Sequence, residues 1–136
     1  MPIWEPDKEC LDREEIRQLQ LERLQATLNR VYRNVAFYHR RFKEVGFSPE
    51  HDITDLKDLE LLPFTSSQDV SSCYPYEMFA VPLREVVRIH SSSGTMSNPQ
   101  VVGYTRQDLA TWSHLVARIL SAGGVTRDDV IQITFA

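Results

Sequence analysis

In the second half of the chain, short apolar runs alternate with one amphipathic stretch. Of all the features of the sequence, this alternation most narrows the range of folds that the chain can adopt. Residues 86–89 and 100–104 have the composition of strands, and residues 130–135 that of a strand buried on both faces. A helix is predicted before the third strand. Thr105 is its predicted N-cap, with Asp108 as the capping-box partner, and the helix is expected to end at Gly123 and Gly124. Its apolar stripe consists of Leu109, Trp112, Leu115, Val116, Ile119 and Leu120. The alternation predicts an α/β fold.

The third strand also bears on how complete this fold is. A strand buried on both faces needs neighbours on both sides, and the sequence has few other strands to supply them. We therefore expect the chain to be an N-terminal piece of a longer protein whose α/β sheet has only begun. The alternative is a small complete domain in which residues 130–135 form the centre of a three-stranded sheet.

The first half of the sequence predicts helices. Asp12 and Glu15 have capping-box spacing, and Gly46 is typical of a helix end, with a break expected near Asn34. The apolar stripe of the long helix consists of Leu21, Leu24, Leu28, Val31 and Val35. This stripe is expected to pack onto the rest of the protein, and the alternative is a coiled-coil seam.

Shorter elements follow the long helix. A leucine-rich turn of helix is predicted before Pro63, and a helix N-cap at residues 65–67. The helix that starts at this N-cap is expected to end before Tyr74-Pro75-Tyr76, because proline lacks the N–H that a helix needs. We predict a helical region at residues 1–62, and the start of an α/β domain at residues 63–136 with a loop at residues 91–99.

Composition excludes several classes of protein. The chain has 136 residues, enough for about one domain, and a formal net charge of -4, which gives no general attraction to nucleic acid. Its start lacks the basic and apolar regions of a signal peptide, and no apolar run approaches the ~18 residues of a membrane helix. Cys10 and Cys73 lie outside any CxxC pattern, and the histidines lack metal-ligand spacing. These features predict a soluble cytoplasmic protein without a metal site.

The loop between the first two strands has the composition of an anion-binding site. Small side chains allow the backbone to approach a phosphate closely, and successive N–H groups together with hydroxyls can surround its oxygens. The segment differs from the GxxxxGK[ST] pattern, and a solvated turn is the alternative interpretation. The candidate phosphate-binding residues are Ser92, Ser93, Gly94, Thr95, Met96, Ser97 and Asn98.

An ordered series of short motifs carries a resemblance to a known family. The motifs are Trp4-Glu5-Pro6, Leu19-Gln20, Arg23-Leu24, Asn34-Val35, Phe37-Tyr38, Leu62-Pro63-Phe64-Thr65, Tyr74-Pro75, Phe79-Ala80-Val81-Pro82, Val87-Arg88-Ile89-His90-Ser91-Ser92-Ser93-Gly94-Thr95 and Val101-Val102-Gly103-Tyr104-Thr105. The series resembles the N-terminal part of phenylacetate–coenzyme A ligases, within the superfamily of adenylate-forming acyl- and aryl-CoA synthetases.

The resemblance implies an acid–thiol ligase of phenylacetate catabolism. Such an enzyme uses ATP and Mg2+ to make an acyl-adenylate from phenylacetate or a related aryl acetate, and coenzyme A then displaces AMP. The resemblance implies that residues 63–136 are the truncated start of an adenylation domain, and it assigns the ATP phosphates to residues 92–98. It places the catalytic and metal-binding residues downstream of these 136 residues, so the chain alone is expected to be inactive.

The loop departs from the family pattern after Thr95. Met96, Ser97 and Asn98 stand where the family usually has Thr-Gly-Lys, so a hydroxyl, a flexible glycine and a cation are missing. The alternative function is a non-catalytic remnant or an interaction module that docks through its N-terminal amphipathic helix. Small molecules are the expected partners, nucleic acid and membrane are not expected, and a homodimer is left open.

Overall fold

The computed structural model describes residues 3–92 and 99–134, which form two compact units. Of the described residues, 12–92 and 99–106 form one unit, and 3–11 together with 107–134 form the other. The elements in chain order are helices α1 (Pro6–Glu9), α2 (Arg13–Asn34) and α3 (Ala36–Glu44), a 3₁₀ helix (Leu56–Leu61), helix α4 (Ser67–Ser72), a 3₁₀ turn (Leu83–Glu85), strands β1 (Val86–Ser91) and β2 (Val101–Thr105), and helix α5 (Arg106–Ala122). The division at residue 62 stays a prediction.

The capping box predicted at the start of α2 is confirmed. The backbone N–H of Glu15 donates to Asp12 Oδ1 at 2.8 Å, and the backbone N–H of Asp12 donates to Glu15 Oε2 at 2.9 Å. The helix ends at Asn34 because the backbone of Val35 is extended, with φ -118° and ψ 107°. The predicted break near Asn34 is therefore confirmed, and α3 starts in a new direction immediately afterwards.

The core of the larger unit forms where α2 meets α3. Leu28, Phe42, Phe47 and Ile53 are buried together. Leu21, Leu24 and Val31 of the stripe are half-buried and pack against this cluster. The stripe is thus used for internal packing, as expected.

The end of α3 returns the chain to that core. Gly46 has a φ of 69°, the left-handed conformation that favours glycine. The backbone N–H of Phe47 donates to Phe42 O at 2.9 Å, and that of Gly46 to Lys43 O at 3.1 Å. This pattern is a Schellman motif, in which the residue after the glycine contacts the last turn of the helix. The predicted end at Gly46 is confirmed.

Both short helical segments predicted next are also present. Asp55 and Asp58 form a capping box at the 3₁₀ helix, which ends shortly before Pro63. Ser66 and Asp69 form another at α4, and that helix ends before Tyr74-Pro75-Tyr76. These caps are local devices, which explains why sequence spacing predicts them.

Strands β1 and β2 form an antiparallel hairpin, as predicted. Ser91 pairs with Val101 and Ile89 pairs with Gly103, and the register shifts between Val86 and Arg88. Gly103 lies directly beneath the aromatic ring of Phe79. A Cβ atom added at Gly103 would lie 2.6 Å from Cε2 of that ring, so the contact requires glycine.

The variant Gly103→Ala is expected to lose about 1–3 kcal/mol of unfolding free energy, because the ring of Phe79 must move to admit the methyl group. The matched control is Gly123→Ala, whose Cβ would lie 3.4 Å from Leu120 O in ordinary contact. The control is expected to change stability by less than about 0.5 kcal/mol. Urea denaturation of both variants checks this, and equal effects would contradict the close packing at Gly103.

The smaller unit consists of an N-terminal strap, defined as residues 3–11, together with α5 and residues 123–134. Helix α5 ends at Ala122, and Gly124 with a φ of 86° forms its cap, as predicted. Its apolar stripe is largely exposed, with Ile119 at 71% and Leu115 at 48%. The predicted cap by Thr105 stays a prediction.

The strand predicted at residues 130–135 is wrong for the residues that the structure describes. Residues 130–134 have no regular secondary structure, and Phe135 lies outside the described residues. Val130 is 99% exposed and Ile133 72% exposed, so burial on both faces is also wrong. A strand exists only where a second strand accepts its hydrogen bonds, and the sheet in the described ranges contains only β1 and β2.

The charge on Glu5 is strongly stabilised within the smaller unit. Hydrogen bonds from Lys8 and then from Arg118 lower the pKa of Glu5 from 4.5 to about 2. A lowered pKa adds stability that is complete above the ordinary pKa and is lost as the pH falls through the folded-state pKa. The stability advantage of the wild type over Glu5→Gln should therefore shrink as the pH falls from 5 to 2. Thermal melts of both proteins across this range measure it, and an advantage that stays constant at pH 2 would contradict the assignment.

Candidate functional site

The candidate site is the end of the β1–β2 hairpin. The backbone N–H of Ser92 donates to Gln100 O at 3.0 Å. The backbone N–H of Gln100 donates in return to Ser92 Oγ at 3.1 Å. These two bonds extend the ladder by one step beyond Ser91 and Val101, and they hold both residues side by side at the sheet end. The segment with the phosphate-binding composition is therefore flanked by two residues that are hydrogen-bonded to each other.

Ser92 is the one predicted site residue that the structure describes. Ser93, Gly94, Thr95, Met96, Ser97 and Asn98 lie outside the described residues. Their assignment to the ATP phosphates stays a prediction. Gln100, which closes the hairpin end with Ser92, was predicted only as the first residue of the second strand, and the strand begins one residue later, at Val101.

The Ser92 hydroxyl is suited to hold an anion. A hydroxyl has one proton to donate and two lone pairs to accept with. Ser92 Oγ accepts from Gln100 N–H, a bond that fixes its position and leaves the hydroxyl proton to be directed by other partners. The residue is exposed, so a bound phosphate oxygen would meet it without a buried cavity having to open.

One face of the hairpin carries an aromatic pair close to Ser92. The pairs Arg88–Tyr104 and His90–Val102 share one face, because directly opposite residues point to the same side. The rings of His90 and Tyr104 lie 5.0 Å apart at 63° on that face. This edge contact packs the imidazole against Tyr104 two residues before Ser92.

The carboxylates with lowered pKa values serve structural purposes. Hydrogen bonds from the Thr54 backbone lower the pKa of Asp58, and hydrogen bonds from the Ser66 side chain lower the pKa of Asp69. Both residues belong to capping boxes, and a carboxylate held ionised by such bonds is a poor proton acceptor. We therefore assign neither to acid–base catalysis.

Residues 3–92 and 99–134 show neither a metal centre nor a membrane helix. Within those ranges no three His, Cys, Asp or Glu side chains come together in a way that would hold a metal ion. No described helix combines the length and the apolar character needed to cross a membrane.

Curated proteins similar to the chain are phenylacetate–coenzyme A ligases. That of Pseudomonas putida is 48% identical over 120 residues, which cover 88% of this chain and 27% of the ligase. That of Escherichia coli (strain K12) is 44% identical over 122 residues, covering 90% and 28%. That of Thermus thermophilus is 45% identical over 122 residues, covering 90% and 27%. The chain thus spans 27% to 28% of the length of these three relatives. No family model matches it.

Solved structures of 2-hydroxyisobutyryl-CoA ligase are similar in fold. One, in complex with 2-HIB-AMP and CoA, has a TM-score of 0.78 and 28% identity, covering 88% of this chain and 26% of that one. An open conformation with the same two molecules has a TM-score of 0.78 and 27% identity, covering 90% and 29%. The predicted fold class and the resemblance to the N-terminal part of adenylate-forming CoA ligases are confirmed.

Proposed function

We propose that this chain, a sequence relative of the phenylacetate–coenzyme A ligases, is the N-terminal, phosphate-binding part of an enzyme that joins phenylacetate or a related aryl acetate to coenzyme A. The observation that carries the proposal is the hairpin end, where Ser92 and Gln100 are tied on either side of a Ser/Gly/Thr-rich segment. The similarity to ligases over 88% to 90% of the chain supports the same function.

The proposed reaction has two steps. A carboxylate oxygen of the acid attacks the α-phosphorus of ATP, which is taken as its Mg2+ complex, and the bond to the β-phosphate breaks to release pyrophosphate. The thiol of coenzyme A loses its proton to solvent, its sulfur attacks the acyl carbon, the acyl–oxygen bond breaks, and AMP leaves. The first step moves negative charge onto the departing pyrophosphate, so fixed hydrogen-bond donors around those oxygens lower its barrier.

Residues 92–98 supply those donors in this proposal. The hydroxyls of Ser92, Ser93 and Thr95 and the backbone N–H groups between them bind the β- and γ-phosphates. The rigid hairpin end lowers the entropy cost of orienting the segment, because Ser92 and Gln100 fix where it begins and ends. The chain itself contributes binding and orientation, and we expect it to be inactive alone.

The wider setting of the enzyme is part of the same proposal. We expect a cytoplasmic protein whose partners are phenylacetate, ATP and coenzyme A, with neither nucleic acid nor a membrane among them. The oligomeric state is left open between a monomer and a homodimer. An interaction module that docks through the α2 stripe is less favoured, because that stripe packs against the core around Phe42.

A chimera tests the proposal. The segment of the Escherichia coli ligase that matches this chain is replaced by the chain, and phenylacetate-dependent exchange between ATP and labelled pyrophosphate is measured. We expect phenylacetate-dependent exchange above background but slower than in the parent ligase, because Met96 and Asn98 lack the hydroxyl and the cation that the family usually has at these positions. A chimera that melts cooperatively but shows no phenylacetate-dependent exchange would overturn the proposal.

A further inference from the structure

The N-terminal strap is attached to α5 through Glu5, across 113 positions of sequence. Arg118 donates to Glu5 Oε2 from Nη2 at 2.6 Å and from Nε at 3.0 Å. Lys8 donates to the other carboxylate oxygen, Oε1, at 2.6 Å. The Glu5 side chain is only 16% exposed, so this ion pair is better shielded from solvent than a typical surface pair.

A second contact between the strap and α5 depends on a histidine. The indole Nε1–H of Trp4 donates to Nδ1 of His114 at 3.1 Å. An indole N–H is a donor and cannot accept. His114 therefore accepts this bond only as a neutral imidazole whose single proton is on Nε2.

The same nitrogen has an alternative partner within reach. Nδ1 of His114 lies 3.6 Å from Oε1 of Glu5. When a proton binds to Nδ1, that nitrogen becomes a donor, and it repels the indole N–H of Trp4 instead of accepting from it. The new N–H is attracted to the Glu5 carboxylate, and the indole N–H of Trp4 turns to water.

We propose that His114 is a proton-dependent switch in the attachment of the strap: neutral His114 holds Trp4, whereas protonated His114 releases Trp4 and binds Glu5. One proton is taken up from solvent, and no covalent bond between heavy atoms forms or breaks. The Glu5–Arg118 pair persists in both states, so the aromatic end of the strap detaches while its acidic part stays attached. This inference does not depend on the proposed function.

The surrounding charges are compatible with such a switch. His114 faces Trp4 and Glu5 on the strap, with Lys8 and Glu9 adjacent to Glu5, and Arg118 lies one turn further along its own helix. The pKa of Glu5 is lowered to about 2 by Lys8 and Arg118, so Glu5 remains an anion throughout the range from pH 5 to 8. Histidine is the side chain whose ordinary charge change falls within that range.

The test follows the indole N–H resonance of Trp4 by NMR in the full 136-residue chain between pH 5 and 8. The chain has two tryptophans, and the variant Trp112→Phe identifies which resonance belongs to Trp4. We expect the Trp4 resonance to move in one sigmoidal step, towards the position of a water-exposed indole at low pH. A resonance that stays in place across this range would overturn the proposal.

Two variants separate the switch from other titrations. His114→Asn keeps an acceptor near the position of Nδ1 but does not titrate, so the Trp4 resonance should become independent of pH. A Trp4 step that persists in His114→Asn would overturn the proposal, since another group would then cause it. In Glu5→Gln the step should move to lower pH, because the cation loses its carboxylate partner, and an unchanged midpoint would contradict the exchange of partners. Circular dichroism confirms that each variant keeps its helices.

Discussion

Replacing two hydroxyls of the segment between β1 and β2, in the double variant Ser93→Ala and Thr95→Val, is expected to lower phenylacetate-dependent pyrophosphate exchange by about 100-fold or more. Under the proposed function these hydroxyls donate to oxygens whose negative charge grows as pyrophosphate departs. Removing one preorganised donor to such an oxygen typically costs about 100- to 1000-fold in kcat. Backbone N–H groups remain in the variant, so exchange should be reduced and not abolished. The assay uses the chimera with the Escherichia coli ligase.

The matched control is Ser113→Ala in the same chimera. The Ser113 hydroxyl donates to Leu109 O within its own helix, so its removal tests the loss of a hydroxyl outside the segment. We expect an exchange rate within about twofold of the unsubstituted chimera, since the Ser113 hydroxyl bonds within its own helix and lies outside residues 92–98. Equal rates for the double variant and the control would contradict a role for residues 93 and 95 in phosphate binding.

The second large effect concerns folding. The variant Phe42→Ala is expected to lose about 3–5 kcal/mol of unfolding free energy, because a buried ring is replaced by a cavity. Phe42 is 2% exposed, and its ring lies 5.0 Å from that of Phe47 and 5.8 Å from that of Tyr38. A loss of this size is comparable to the whole stability of many small domains. Urea denaturation followed by circular dichroism measures it.

Phe64→Ala provides the comparison for Phe42→Ala. The Phe64 side chain is 96% exposed, so the same chemical change removes almost no buried contact. Its expected effect is less than about 0.5 kcal/mol. A loss at Phe64 as large as that at Phe42, or a negligible loss at Phe42, would contradict the position of the core between α2 and α3.

The sequence predicted helices best because their determinants are local. The Asp12–Glu15 and Ser66–Asp69 boxes act over three residues, and Gly46 acts within a single turn. Residues 130–134 failed as a strand because pairing depends on a partner elsewhere in the chain, which β-branched composition does not specify.

Only the local features of the candidate site could be predicted from the sequence, because its other features depend on contacts between distant residues. Both hairpin strands followed from their composition, whereas the pairing of Ser92 with Gln100 depends on the register. That register includes an irregularity between Val86 and Arg88, which no local pattern indicated. The contacts of the strap with α5 join residues 110 and 113 positions apart. The short-range spacing patterns of helices and strands therefore cannot predict them.

A crystal structure of the chimera with phenylacetate and a non-hydrolysable ATP analogue tests the central claim most directly. We predict that oxygens of the β- and γ-phosphates lie within about 3.2 Å of N–H or hydroxyl donors from residues 92–98. Phosphates bound on another element, with these residues turned away from the nucleotide, would contradict it.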